Sequence, residues 1–123
     1  MAKDNTQMTT EDMQQTIYKE LGYKSYPFPF TTPAYLEAYG TLVGLKPPTA
    51  KTARVLELGA TYGGNIISQA LYYPEASFTG IDLSSSQIKM GNELIASMGL
   101  TNIHLIEKDI LDIDESFGIF DYI

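Results

Sequence analysis

Three acidic residues, Glu57, Asp82 and Asp109, each stand at or just beyond the end of a short apolar run. The runs cover residues 55–58, 77–81 and 103–107, and helical patterns separate them. Alternation of this kind is typical of parallel strands, whose carboxyl ends meet at one edge of a sheet and collect ligands there. The sequence therefore predicts one binding site that faces all three carboxylates.

Asp82 and Glu57 bear on the kind of ligand. Asp82 follows the glycine turn at Gly59 by about twenty residues, the spacing at which an acidic side chain reaches the hydroxyls of an adenosine ribose. This spacing serves NAD and S-adenosylmethionine equally. A carboxylate at a buried strand end, such as Glu57, is costly unless a cation or hydrogen-bond donors meet it. S-adenosylmethionine brings an ammonium and a sulfonium, whereas a dinucleotide brings pyrophosphate, so Glu57 favours the methyl donor.

The glycine turn after the first run, residues 59–65, is the predicted approach to the ligand's methionine end. A dinucleotide pattern GxGxxG requires glycine at positions 59, 61 and 64, and a methyl-donor pattern GxGxG requires it at 59, 61 and 63. Thr61 breaks both patterns. If Thr61 narrows the place where the backbone meets the ligand, affinity is reduced. The alternative interpretation is a glycine-rich turn that only connects two core elements.

The adenine end of the ligand is assigned to the third strand end. The Asp109 carboxylate can accept a hydrogen bond from the adenine amino group, and the backbone N–H of Ile110 can meet the ring edge. Leu83 and Ile110 offer apolar faces to the base. For each of these residues the alternative is a solvated loop position or a core contact.

The elements that must position these residues form an α/β protein. The pattern predicts a helix from Thr9 or Thr10 with Met13, Ile17 and Leu21 on one stripe, then an extended aromatic segment over 25–33. A second helix begins after the N-cap Thr32. Residues 1–50 are thus a helical lead-in or cap, and residues 51–123 are the N-terminal half of a doubly wound, Rossmann-like parallel sheet. The predicted strand order is 3-2-1-4, with strand 4 beginning at residues 120–123.

Two positions in the helix after the second run carry local predictions. Ser84 and Gln87 have the spacing of a capping box, in which each side chain satisfies a backbone N–H at the helix start. Gly91 lies on the buried stripe of that helix and allows a close approach to a neighbour.

Composition narrows the function further. The chain of 123 residues has a net charge of −7, so nucleic acid and anionic membrane surfaces are disfavoured as partners. It has no cysteine and one histidine, His104, which predicts no metal site. The residues up to Gln7 are polar, with no apolar targeting core, and no transmembrane run follows. A cytoplasmic location is the expectation.

Four segments, VLELGATYGGN, FTGIDLSSSQI, NIHLIEKDI and FDYI, resemble the successive motifs of class I S-adenosylmethionine-dependent methyltransferases. Three segments, SYPFPFTTP, GIDLS and FGIFDYI, further resemble a bacterial group that carries a methyltransferase regulatory domain. The resemblance covers roughly residues 20 to 123. It implies a Rossmann-like domain with S-adenosylmethionine as cofactor and a small-molecule or protein methyl acceptor, and some relatives act on protein lysines.

The resemblance also implies roles for individual residues. Glu57, Gly59 and Gly63 would line the methionine end, Asp82 would hold the ribose, and Asp109 with Ile110 would face adenine. Ala60 and Thr61 belong to the same loop but stand where the family usually has Cys-Gly or a similar small pair. No residue is nominated as a catalytic base.

The resemblance implies only the N-terminal part of the catalytic domain, so strand 4 would be an exposed apolar edge. We expect the natural chain to continue or the fragment to self-associate through that edge. Two further hypotheses stay open: an NAD-type oxidoreductase fragment, and a non-catalytic cofactor- or partner-binding module.

Overall fold

The computed structural model describes residues 8–123. Seven helices and strands follow one another in that range: α1 (Thr10–Glu20), α2 (Pro33–Leu42), β1 (Arg54–Leu58), α3 (Ile66–Tyr72), β2 (Ser77–Asp82), α4 (Ser85–Ser97) and β3 (Ile103–Glu107). Single turns of 3-10 helix occupy Pro29–Thr31, Ile110–Asp112 and Glu115–Phe117. The predictions for the polar residues 1–7 lie outside this range. No helix within it is long and apolar enough to cross a membrane.

The three strands described form one parallel sheet with β2 in the middle. Val55 pairs with Phe78, and Phe78 in turn pairs with Ile103. The predicted α/β class and the parallel pairing are confirmed. At the far end of the chain Val55 makes one isolated parallel bridge with Tyr122. No strand forms over residues 120–123 in the described structure, so the position of a fourth strand stays a prediction.

The core lies between the sheet and helices α3 and α4. Phe78, Ile81 and Ile66 are almost completely buried, because β2 is covered on both faces. Gly91 of α4 has the predicted close neighbours, since a Cβ atom there would overlap Leu105 and the carbonyl of Tyr62. The packed core therefore fixes the ends of the strands, and with them the starting points of the loops that follow.

The lead-in helices have the predicted starts but little apolar burial. At the N-cap of α1, Thr9 accepts from the N–H of Asp12, and the Asp12 carboxylate accepts from the N–H of Thr9, which together form a capping box. Thr32 caps α2, as predicted, by accepting from the N–H of Tyr35. The stripe of α1 does not reach the core, however, because no residue of the helix is buried and Met13 and Ile17 are each 48% exposed.

The capping box predicted at the start of α4 is wrong. Ser84 is the N-cap residue, but its side chain makes no capping hydrogen bond. Its hydroxyl donates instead to the carbonyl of Lys19, and the Gln87 amide donates to the carbonyl of Leu21. Both side chains are thus used to hold the end of α1 against α4.

Candidate cofactor site

The loop between β1 and α3 turns on three residues with left-handed backbone: Gly59 (φ 73°), Thr61 (φ 52°) and Gly63 (φ 85°). The two glycines differ in their surroundings. A Cβ atom at Gly63 would lie 3.0 Å from Ile67 Cδ1 and 3.2 Å from Leu105 Cδ1, so Gly63 allows the loop to pack on the core. A Cβ atom at Gly59 would meet nothing within 4 Å. Of the two predicted glycines, Gly59 therefore has the open space that an approaching ligand needs.

Thr61 is the only non-glycine residue with positive φ in the described part of the chain. For a β-branched residue this conformation is strained, because the side chain crowds the backbone. Its Oγ1 is buried and has no hydrogen-bond partner among the described residues. Its backbone N–H donates to Asp82 Oδ2 over 2.9 Å. The hydrogen bond to Asp82, at the end of β2, thus stabilises the strained backbone conformation of Thr61.

Asp82 is 3% exposed and links two loops. Its Oδ2 accepts from the N–H of Thr61, and its Oδ1 accepts from the N–H of Ser84 over 2.9 Å. The carboxylate therefore fixes the glycine loop relative to the start of α4. A contact from Asp82 to a ribose would use the remaining lone pairs of these oxygens, and this role stays a prediction.

Glu57 has the least satisfied carboxylate of the predicted set. Oε1 accepts from Asn65 Nδ2 over 2.5 Å, while Oε2 is buried without a hydrogen-bond partner among the described residues. Burial raises the pKa of Glu57, and the hydrogen bond from Asn65 acts in the opposite direction. A buried carboxylate oxygen with no donor is costly. Its chemistry fits a cation or an N–H donor brought by a ligand.

A cavity of about 760 Å³ lies at the carboxyl ends of β2 and β3. Leu83 and Asp109, both predicted adenine contacts, line it together with Lys108. Asp109 also caps the following turn, since its Oδ1 accepts from the N–H of Leu111. Ile110 does not line this cavity and is 52% exposed.

Helix α1 forms the opposite wall of this cavity through Gln14, Tyr18 and Lys19. Burial, and after it the negative charge of Asp82, raise the pKa of the Tyr18 hydroxyl. These residues were not predicted, and no local pattern in α1 indicates them, because its apolar stripe contains none of the three.

Glu57 borders a second cavity, of about 500 Å³, beside β1. Asn65, Phe28 and Phe30 line it as well. The predicted site is thus divided between two cavities, and Gly59, Ala60, Thr61, Gly63 and Asp82 line neither. Ala60 is 2% exposed within the core, and its N–H donates to the carbonyl of Ile81.

The segment 25–31 is docked on the glycine loop. The Tyr62 hydroxyl donates to the Ser25 carbonyl over 2.7 Å and accepts from the Ser25 N–H over 3.2 Å. Asn65 Oδ1 accepts from the N–H of Phe28 over 2.7 Å. A Cβ atom at Gly64 would overlap the backbone of Ser25. Gly64 therefore makes room for this segment, which explains a glycine that the methyl-donor pattern does not require.

Comparison with known proteins decides the family. A family model described as a methyltransferase domain matches residues 49–123. The chain belongs to this methyltransferase domain family. The resemblance to class I S-adenosylmethionine-dependent methyltransferases is thereby confirmed, and the predicted Rossmann-like fold with it.

Relatives of this methyltransferase domain are longer. The chain is 45% identical over 106 residues to the uncharacterised protein RP789 of Rickettsia prowazekii, covering 86% of this chain and 19% of the relative. It is 42% identical over 106 residues to RP028 of the same organism, covering 86% of this chain and 42% of that protein. The structure of PKMT2 from Rickettsia typhi in complex with AdoHcy is similar at 41% identity and a TM-score of 0.77. That alignment covers 80% of this chain and 19% of PKMT2. The chain thus spans less than half the length of each of these proteins.

Proposed function

We propose that the chain is the cofactor-binding part of an S-adenosylmethionine-dependent methyltransferase. The observation that carries the proposal is the buried Oε2 of Glu57, which has no hydrogen-bond partner within residues 8–123. Glu57 lies near the end of β1, beside a loop turned by Gly59. An ammonium group would satisfy this oxygen, and S-adenosylmethionine brings one. The similarity to PKMT2, whose structure contains AdoHcy (S-adenosylhomocysteine), supports the same cofactor.

The residues of this chain would bind the two ends of the cofactor from different strand ends. Glu57 would hold the ammonium, with the backbone at Gly59 and Thr61 beside the methionine moiety. Leu83 and Asp109, in the cavity of about 760 Å³, would contact adenine, with Ile110 at its edge. Asp82 would meet the ribose between them. When bound, the cofactor supplies an electrophilic methyl group, and the protein contributes alignment and exclusion of water.

The methyl acceptor is proposed only as a class, a small molecule or a protein. The net charge of −7 disfavours nucleic acid. Four further points stay proposals. They are the division into a lead-in (1–50) and a cofactor-binding unit (51–123), membership of the group with a regulatory domain, a cytoplasmic location, and self-association through the exposed edge strand predicted at residues 120–123. A non-catalytic binding module is the second candidate, since Thr61 strains the loop and both oxygens of Asp82 already accept hydrogen bonds.

Ligand-induced stabilisation tests the proposal. Thermal unfolding is followed with S-adenosylmethionine, S-adenosylhomocysteine or NAD, and a ligand at 100 times its Kd adds about 2.7 kcal/mol to the free energy of unfolding. We expect both sulfur nucleosides to raise Tm and NAD to have no effect. Glu57→Gln should weaken the response, whereas Glu93→Gln, which changes an exposed carboxylate on α4, should leave it intact. Stabilisation by NAD alone refutes the proposal, and no response to any ligand favours the second candidate.

A further inference from the structure

Asn65 stands at the start of α3, but it does not cap the helix. Asparagine at this position usually accepts a hydrogen bond from a backbone N–H of the first turn. Here the N-cap residue has helical backbone (φ −81°, ψ −50°), and its side chain makes no capping bond. The side-chain amide of Asn65 therefore makes its hydrogen bonds to groups outside α3, and the helix begins without a side-chain cap.

The amide of Asn65 uses its donors and its acceptor on three partners. Oδ1 accepts from the N–H of Phe28, and Nδ2 donates to Thr31 Oγ1 over 3.2 Å and to Glu57 Oε1 over 2.5 Å. The residue is only 8% exposed. Both amide hydrogens are engaged, and the amide oxygen accepts one hydrogen bond.

The three partners fix which way the amide points. A flipped amide would set its NH₂ group against the N–H of Phe28 and its oxygen against the Glu57 carboxylate, and both contacts would be repulsive. Thr31 Oγ1 donates to the carbonyl of Phe28, so it is free to accept from Asn65. The network has one consistent arrangement. In that arrangement Glu57 Oε1 accepts from Asn65, and Oε2 has no partner in the part of the chain that the structure describes.

We infer that Asn65 is a positioning residue that orients the Glu57 carboxylate toward the cofactor's ammonium and couples it to the docked segment 25–31. This inference rests on the proposed function. Because one amide bonds both the segment and the carboxylate, a ligand that fixes Glu57 favours docking of the segment, and docking favours that ligand. Such coupling is reciprocal.

The segment has a second anchor that does not touch Glu57. Tyr62 bonds the backbone of Ser25 through its hydroxyl, and Gly64 lets that backbone approach. Tyr62→Phe therefore weakens docking while the bond between Asn65 and Glu57 is kept. It serves as the matched control for Asn65→Ala, which removes both connections.

Two ligands separate positioning from general loss of structure. S-adenosylhomocysteine carries the ammonium, and 5′-methylthioadenosine has the same adenosine and sulfur without the amino-acid end. By titration calorimetry we expect Asn65→Ala to raise the Kd of S-adenosylhomocysteine about tenfold, the effect of losing one charge-assisted hydrogen bond. The Kd of methylthioadenosine should change less than about twofold. Tyr62→Phe keeps the bond between Asn65 and Glu57 and weakens docking only at Ser25. It should therefore raise the ratio of the Kd of S-adenosylhomocysteine to that of methylthioadenosine less than Asn65→Ala does.

A double-mutant cycle tests whether Asn65 acts through Glu57. In the Glu57→Gln background, Asn65→Ala should no longer alter the ratio of the two Kd values. A persistent change in that ratio, or equal losses for both ligands in the single variant, overturns the inference. If the wild-type chain binds neither nucleoside, the proposed function fails as well, whereas binding with an unresponsive ratio overturns the inference alone.

The wild-type protein provides a test that does not depend on the folding of a variant. Chymotrypsin can cleave after Phe30, which is exposed in the segment and is followed by Thr31, whereas Pro29 blocks cleavage after Phe28. Saturating S-adenosylhomocysteine should slow this cleavage, and methylthioadenosine should slow it less. Equal protection by the two ligands contradicts coupling through Glu57.

Discussion

Replacing Thr61 by glycine should make the protein more stable, although the substitution removes a side chain from a partly buried loop. Thr61 adopts φ 52°, and its Oγ1 is buried without a partner among the described residues. The one hydrogen bond that the residue donates to Asp82 comes from its backbone N–H. Thr61→Gly therefore removes the strain and the unsatisfied hydroxyl and keeps the contact.

The size of the gain follows from three contributions. Left-handed backbone costs an L-residue about 1–2 kcal/mol, and glycine avoids this cost. Loss of a buried hydroxyl without a partner recovers about 1–3 kcal/mol. Glycine has greater conformational freedom in the unfolded chain, and this lowers the gain in the free energy of unfolding by about 0.5–1 kcal/mol. With some loss of packing, the net stabilisation is about 1–3 kcal/mol, which corresponds to a rise in Tm of roughly 4 °C per kcal/mol.

Urea denaturation with an unchanged m-value, together with calorimetric Tm, measures this gain. Thr61→Asn should lie between glycine and threonine, because asparagine tolerates left-handed backbone. Thr61→Ala keeps the left-handed cost but removes the hydroxyl, so it separates the two contributions. Thr101→Gly, at an exposed threonine without positive φ, is the control and should lower stability by about 0.5–1 kcal/mol. A loss of the same size for Thr61→Gly would refute the argument from strain.

Three further predictions concern close contacts and charge. Gly64→Ala should displace the segment at Ser25 and leave the sheet intact, so chymotrypsin cleavage after Phe30 should accelerate while far-UV circular dichroism is unchanged. Gly91→Ala should lower the free energy of unfolding by about 1–3 kcal/mol in urea titrations, because its methyl group would overlap Leu105 in the core. Burial raises the pKa of Glu57, so the stability linked to its protonated form is present below the unfolded pKa and is lost as pH rises through the folded pKa. The stability of Glu57→Gln relative to wild type should therefore increase as pH is raised from about 4.5, and a difference that does not vary with pH would contradict this sign.

The strands of the sheet could be predicted from the sequence because the pattern that indicates each strand lies within a few consecutive residues. The mostly apolar run 103–107, bounded by turn residues, predicts a strand, and β3 has those bounds. The Thr32-Pro33 pair predicts the start of α2 for an equally local reason. Such signals need no knowledge of what the element packs against.

The rest of the site could not be predicted because it depends on contacts between distant parts of the chain. Ser84 has the right neighbours for a capping box, but its hydroxyl binds a carbonyl 65 residues earlier in sequence. Asn65 is diverted in the same way, toward Phe28 and Glu57. In both cases a distant acceptor or donor competes successfully with the local backbone. These contacts also place α1 beside the cavity of about 760 Å³. The spacing of apolar residues in α1 therefore could not predict that the helix lines this cavity.

The way in which α1 is attached to α4 leaves most side chains of α1 free to vary in sequence. Ser84, Ser86 and Gln87 hold carbonyl oxygens of Lys19 and Leu21, and no residue of α1 is buried. Every amino acid offers the same carbonyl, so the helix can change most of its side chains and remain attached. The constraint falls on α4, whose hydroxyls and amide have no generic substitute. Side chains on the cavity face of α1 are thereby free to diversify toward different ligands without loosening the helix that presents them.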